Sequence, residues 1–262
     1  MAYTKAERRH KEILHLLSSV PIASIAELSQ ALEVSIETIR KDLEYLSTAG
    51  AVLKVHGGVA LVDSQETRSP YNLRSALNMD KKYRIAKATA ALIEAGDSLI
   101  MESSTTTVEL FRVLLQDAEL LKTLVIITNS FKIVSLCEEA NSFCQRLFFL
   151  GGWANTGEHC TRGQFTTSSL SHFHVNKALL SGAALNDDFM LTGYYDDDVA
   201  FQKQAMAAAK TSVLMIDSSK FGKSAIQVVQ PLSAFQYLVT DTEFSAEIKK
   251  DIENRGTHIL SA

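Results

Sequence analysis

The chain has 262 residues, 46% of them hydrophobic and 21% charged, with a formal net charge of −4. That length suggests two domains, and the balance suits a globular protein able to bury a sizeable core. The charge does not advertise a nucleic-acid binder, and the longest apolar runs, at 120–128 and 146–150, fall far short of the ~20 residues a membrane helix needs.

Residues 5–18 read as an amphipathic helix with Ile13, Leu14 and Leu17 inward; its basic start runs into that helix instead of a secretion signal. Ser24 and Glu27 have capping-box spacing and open a second short pattern, Ile25, Leu28, Ala31 and Leu32, predicting a helix over 24–32. Only Glu33 and Val34 separate it from Ser35, an N-cap candidate for a helix over 36–48. There Ile36, Ile39, Leu43 and Leu46 make one apolar stripe. Glu37, Lys41, Glu44 and Tyr45 point the opposite way, with Thr38 and Arg40 on the flanks. Two capped helices across a tight turn read as a helix-turn-helix. A plain surface helix with a solvated face is the competing reading of this stretch alone.

The next residues favour the first reading. Ala49 and Gly50 end the helix, and residues 51–61 form two short apolar runs around Lys54, His56, Gly57 and Gly58, a hairpin with a basic tip. A helix-turn-helix followed by such a hairpin is a winged helix. In residues 1–62, Lys5, Arg8, Arg9, Lys11, Arg40, Lys41 and Lys54 are offset by Glu7, Glu12, Glu27, Glu33, Glu37, Asp42 and Glu44. A neutral module gains phosphate contacts by acting in more than one copy, so a homo-oligomer is expected.

Arg9, Ile13, Leu17, then Ser35, Thr38, Ile39, Arg40, Lys41, Asp42 and Leu43, then His56, Gly57 and Gly58, resemble the N-terminal signature of the DeoR family of bacterial transcriptional regulators. The resemblance implies residues 35–41 in the major groove of an operator. Ser35, Glu37, Thr38, Arg40 and Lys41 are the candidates there, with Lys54 and His56 near the backbone or minor groove.

Residues 63–78 are polar, contain Pro70, and read as a linker; Tyr71 and Arg74 resemble a family segment to which chemistry assigns no role. From residue 81 the pattern changes to helices (81–94, 108–115, 131–140) alternating with short apolar strands (97–102, 124–130, 147–150, 177–180, 213–217, 237–241). This predicts an α/β domain over 79–262, a Rossmann-like parallel sheet buried on both faces. Each strand ends in polar residues or glycine, and ligand crevices in open α/β sheets lie outside such ends. Turn chemistry explains any one of them; their recurrence along one edge points to a site.

This half resembles the DeoR-family sensor domain, itself similar to glucosamine-6-phosphate deaminase and ribose-5-phosphate isomerase. The matching positions are Glu102, Ser104, Thr105 and Thr106; Thr128 and Asn129; Gly151 and Gly152; and Asp217, Ser219, Lys220 and Phe221. Glu102 stands where the family has Asp, Ser104 where it has Gly, and Val199 where it usually has an acid, with Asp198 beside it. Ser104, Thr105 and Thr106 are the candidate anion seat at a helix start, with Lys220 as counter-charge. Gly151 and Gly152 would let a ligand approach backbone, Asn129 and Asp241 would take hydroxyls, and Glu102 would reach further into the crevice.

The expectation is a cytoplasmic DNA-binding regulator, a repressor of a carbohydrate operon relieved by a phosphorylated sugar. Its partners are double-stranded DNA, a small anionic metabolite and further copies of itself, with no membrane, cofactor or metal. Cys137, Cys144 and Cys160 have no ligand spacing and read as reduced structural thiols. Two rivals remain: a sugar-phosphate isomerase or deaminase with Glu102, Asp198 and Asp217 as candidate bases, and a DNA-binding protein whose second domain only oligomerises.

Overall fold

The computed structural model describes residues 5–20, 22–48, 51–55, 57–61, 71–139 and 146–262. The expectations for Ala49, Gly50, His56, Cys144 and the first half of the linker, 63–70, lie outside these residues, and the second half contains a helix, Tyr71–Ala76. The chain divides into two compact units, Met1–Met79 and Asp80–Ala262.

The first unit contains α1 (Lys5–Ser19), α2 (Ile25–Ala31), α3 (Ile36–Thr48), the strands β1 (Val52–Val55) and β2 (Gly58–Leu61), and α4 (Tyr71–Ala76). Ser24 caps α2 in a complete capping box with Glu27, and the Ser35 hydroxyl accepts the Thr38 N–H at 3.2 Å to start α3. Ile13, Leu17, Leu28, Ile39, Leu43, Leu46, Val52 and Val59 form the core. β1 and β2 pair antiparallel, Val52 opposite Leu61, and β2 is tied to the α1–α2 turn by Ala23 and Val59. Ile36 departs from the predicted stripe: it is 47% exposed. It occupies the first position of α3, a turn ahead of where the helix meets the core. In α4, Tyr71 is buried and the Arg74 guanidinium lies 5.8 Å from its ring.

The second unit runs α5 (Met79–Ala90), β3 (Ser98–Met101), α6 (Thr105–Leu114), α7 (Ala118–Thr123), β4 (Val125–Thr128), α8 (Phe131–Glu139), β5 (Leu147–Phe149), β6 (Trp153–Asn155), β7 (Cys160–Arg162), α9 (Gln164–Ser169), β8 (Val175–Ser181), β9 (Ala184–Leu185), β10 (Met190–Gly193), α10 (Asp196–Ala207), β11 (Ala209–Met215), β12 (Gln227–Pro231), β13 (Tyr237–Thr240), α11 (Ala246–Asn254) and β14 (His258–Ser261). Seven strands form one parallel sheet in the order β14-β13-β11-β8-β3-β4-β5. Alternate residues feed two cores: Ile100, Ile127, Leu180, Leu214 and Leu238 on one face, Leu99, Met101, Ile126, Leu179, Val213 and Val239 on the other. That double burial is why the strands read as continuous apolar runs.

Two helix boundaries differ from expectation. α5 stops at Ala90, four residues before the predicted end, and gives way to turns before Gly96 at φ +86°. α6 starts at Thr105, three residues earlier than predicted, because the Ser104 hydroxyl accepts the Thr107 N–H at 3.0 Å. The β6–β7 hairpin and the three-stranded sheet β12-β10-β9 carry no signal in the strand pattern above. Cys160 is free and buried.

Candidate DNA-binding face and effector crevice

On α3 the apolar residues Ile39, Leu43 and Leu46 face the core, leaving Ser35, Ile36, Glu37, Arg40, Lys41, Glu44 and Tyr45 exposed and Thr38 half-buried. Lys54 is exposed on β1. The helix is fixed to α1 by a charged clamp. The Arg9 guanidinium donates to both oxygens of Asp42, one bond measuring 2.9 Å, and His10 Nε2 lies 2.9 Å from the same carboxylate. Burial opposes the charge on Asp42, but the Arg9 and His10 contacts hold its carboxyl below the usual carboxylate range. His10 also stacks on Tyr45, ring centroids 4.8 Å apart. Asp42 in the signature therefore orients α3 from behind, and the forward face stays open.

In the second unit the parallel sheet brings the polar strand ends to one edge, and their side chains then separate into two groups. The first surrounds the ends of β3, β4 and β5. Glu102 is buried, accepting the Ser181 N–H and the Gln202 side-chain amide at 2.9 Å. Burial lifts its carboxyl to about 7 despite those donors. The Glu102 carboxylate thus lies against the last residue of β8. Asn129, the candidate hydroxyl reader, makes two internal hydrogen bonds. Its carbonyl accepts the Ser103 N–H at 2.9 Å and its amide donates to the Thr161 carbonyl at 3.0 Å, so it braces the start of α6 against β7. Thr128 is fully buried and donates to the Met101 carbonyl at 2.7 Å.

Gly152 is glycine for the protein's own packing. At φ +147°, a Cβ there would stand 2.0 Å from Thr166 Oγ1 and 2.7 Å from the Arg162 carbonyl. Gly151 by contrast faces open space, with nothing within 4 Å of such a Cβ. Ser104 uses its hydroxyl as cap, which leaves the Thr105 and Thr106 amides as first-turn donors without an intrahelical acceptor.

The second group follows β11 and β13. Asp241 accepts the Ser218 N–H and hydroxyl at 2.7 and 2.9 Å, with Lys81 Nζ at 3.4 Å. Burial pushes its carboxyl up, but these contacts outweigh that and keep it below the usual range. Asp241, the candidate hydroxyl reader, thus braces the loop after β11. Lys220 ends the single 3-10 turn Ser218–Lys220, whose first residue takes its bonds from that network. β8 lies between β3 and β11, so the strands that lead to α6 and to the Lys220 turn are two spacings, ~10 Å, apart.

One charged group that sequence reasoning missed belongs beside the first group. Arg162, ending β7, donates through one Nη to both oxygens of Asp198 at 3.1 and 3.2 Å, and its guanidinium lies 5.4 Å from the Tyr195 ring. β7 has three residues, too short for periodicity to reveal; the only signal was a lone arginine before Gly163.

The DeoR-like helix-turn-helix domain matches residues 9–65 and the DeoR C-terminal sensor domain matches residues 77–242. The chain belongs to the DeoR family. Its members of known name include the lactose phosphotransferase system repressor of Streptococcus mutans, 28% identical with 94% of this chain and 96% of the relative covered. The glycerol-3-phosphate regulon repressor of Escherichia coli K12 is 27% identical over 90% of this chain and 91% of its own. The HTH-type transcriptional regulator YgbI of the same strain is 29% identical over 97% of both. As a family member the chain is a DNA-binding transcriptional regulator with a sensor domain.

Proposed function

We propose that the chain is a cytoplasmic repressor of a carbohydrate-metabolism operon, released from its operator when the second unit binds a phosphorylated sugar or related metabolite. The observation that carries the DNA half is the open forward face of α3, which exposes Arg40 and Lys41 while Asp42 is clamped behind. Residues 1–62 act as the DNA-binding domain, 63–78 as the linker, and 79–262 as the sensing and oligomerising domain. Ser35, Glu37, Thr38, Arg40 and Lys41 address the major groove, with Lys54 and His56 beside the backbone. In the crevice, the amides of Thr105 and Thr106, with the Ser104 turn and the open flank of Gly151, seat the phosphate. Lys220 supplies charge from across the edge. Names of relatives support a sugar-operon role: two are repressors of the lactose phosphotransferase system and of the glycerol-3-phosphate regulon.

The enzyme reading gains no support from the three carboxylates it needs, since a general base must be positioned on the substrate. Glu102 is buried on Ser181 and Gln202, Asp198 is paired with Arg162, and Asp217 caps the turn to Ser219.

The test is operator-binding anisotropy with the full-length protein. Arg40→Ala costs roughly 1–3 kcal/mol, sequence-dependent if it reads a base and uniform with a salt slope reduced by about one if it meets phosphate. A thermal-shift screen of sugar phosphates finds the effector, since a ligand at ~100 times its Kd stabilises by about 2.7 kcal/mol. Unchanged affinity in Arg40→Ala removes α3 from recognition, and a monomer in light scattering that still binds its operator tightly removes the oligomer.

A further inference from the structure

Among the described residues, a single buried side-chain nitrogen or oxygen has no hydrogen-bond partner: Arg162 Nε. Arginine carries five donors in a rigid fork suited to planar anions, and an orphan donor in a buried place calls for an absent acceptor. The pair it makes is lopsided. The Arg162 side chain is 16% exposed and the Asp198 side chain 43%, so the cation is built into the fold while its acceptor sits at the surface. One Nη serves both carboxylate oxygens and the guanidinium also meets the Cys160 thiol, while Nε is left over.

Its placement ties Arg162 to the crevice. The preceding residue, Thr161, accepts from Asn129, whose carbonyl holds the Ser103 N–H at the start of α6. Asp198 and Gln202 lie one turn apart on α10, and Gln202 bonds Glu102 at the end of β3. The Arg162–Asp198 pair therefore stands over the same strand ends as the Thr105 and Thr106 amides.

We propose that Arg162 is the seat of a carboxylate on the effector, occupied by Asp198 when the crevice is empty, so that the effector is a sugar acid or its phosphate. This rests on reading the second unit as an effector sensor and specifies which effector class it takes. A carboxylate fits better than a second phosphate, because it replaces Asp198 charge for charge. Asp196, Asp197 and Glu158 nearby would oppose a dianion. Displacing Asp198 frees the first turn of α10 from β7, which gives the ligand a handle on that helix.

The chain supplies its own reporter: Trp153, its one tryptophan, is 77% exposed and pairs with Arg162 across the β6–β7 hairpin. The experiment titrates the full-length protein, by Trp153 fluorescence and calorimetry, with four- to six-carbon aldoses, aldonates, aldose phosphates and phosphoaldonates. In the wild type an acid binds roughly 10- to 100-fold tighter than its aldose counterpart, as a charge-assisted contact requires. Arg162→Gln erases that preference, and Asp198→Asn, which removes the internal competitor, strengthens acid binding. The second variant keeps the proposal testable if the first fails to fold. An aldose phosphate that binds with its acid counterpart no tighter, or an Asp198→Asn protein with no gain for acids, overturns the Arg162 seat and leaves sensing intact. A wild type that binds none of the four classes overturns the sensing reading, and the seat with it.

Discussion

The two units treat their signature residues in opposite ways. In the first, Arg40, Lys41 and Lys54 remain on the surface, and the buried member of the signature, Asp42, works from behind. In the second, the side chains of Glu102, Thr128, Asn129 and Asp241 turn inward and hold strand ends together, and Gly152 leaves room for Thr166. The reason lies in the architecture. A winged helix offers one face of a helix whose backbone bonds are already satisfied within it. A parallel sheet ends in loops whose amides and carbonyls must find partners in a nearly dry edge, and the polar residues there are spent on them first. A motif residue on a helix face is thus a fair candidate for contact with a partner, while one at a parallel strand end is first a candidate strut.

The largest expected effect breaks the comparison at the Asp42 clamp. Asp42→Ala leaves Arg9 and His10 without their acceptor behind α3. Breaking a buried pair costs about 3–5 kcal/mol, and the 20% exposure of the Arg9 side chain puts this one near or below the lower end. That is a large share of the stability of a ~60-residue module. Amide hydrogen exchange along residues 36–48 should rise steeply while the strands of the second unit keep their protection. Unchanged protection of α3 would mean that Asp42 is no strut.

A second, comparable effect distinguishes a strut from a ligand reader in the second unit through pH. Glu102 is raised from 4.5 to about 7 by burial. Between those values the folded state holds a proton that the unfolded chain has lost, so stability falls as pH rises from about 4.5 to about 7 and stays lower above. At about 1.4 kcal/mol per unit the loss is on the order of 3 kcal/mol. Glu102→Gln removes the titrating group and should flatten the dependence, seen as urea midpoints that no longer decline between pH 5 and 8. A wild-type midpoint that is flat over that range would show Glu102 ionised at little cost, and so better solvated than its bonds imply.

What was legible in the chain follows the same division. The first three helices, the capping box at Ser24 and Glu27, and six of the seven strands of the parallel sheet were readable because periodicity and caps are local, whereas α4, read as linker, and the edge strand β14 were not. The inward turn of Asn129 was not, since its partners Ser103 and Thr161 are 26 and 32 residues away in sequence. Arg162 was missed for a related reason: its meaning depends on Asp198, 36 residues on, and on a strand too short to show a pattern. Ile36 was misplaced because a stripe read from sequence has no end, whereas the real helix meets its core only from Ile39 onward.

That last residue offers the smallest and sharpest test. Ile36 is a large apolar side chain left 47% exposed at the start of α3, beside Ser35 and Glu37, within the helix end proposed to enter the major groove. Water is a poor neighbour for it, and the apolar feature of the major groove is the thymine methyl. Because Ile36 is half exposed and outside the core cluster, Ile36→Ala should change folding stability within about ±0.5 kcal/mol. Its effect should fall on DNA instead: on the order of 1 kcal/mol weaker binding to the wild-type operator, confined to one A·T position. Replacing that thymine by uracil, which lacks the methyl, should cost the wild type the same amount and the variant nothing. If both proteins respond equally to uracil at every position of the operator, Ile36 meets no base, and its exposure then belongs to a face of α3 that the DNA does not touch.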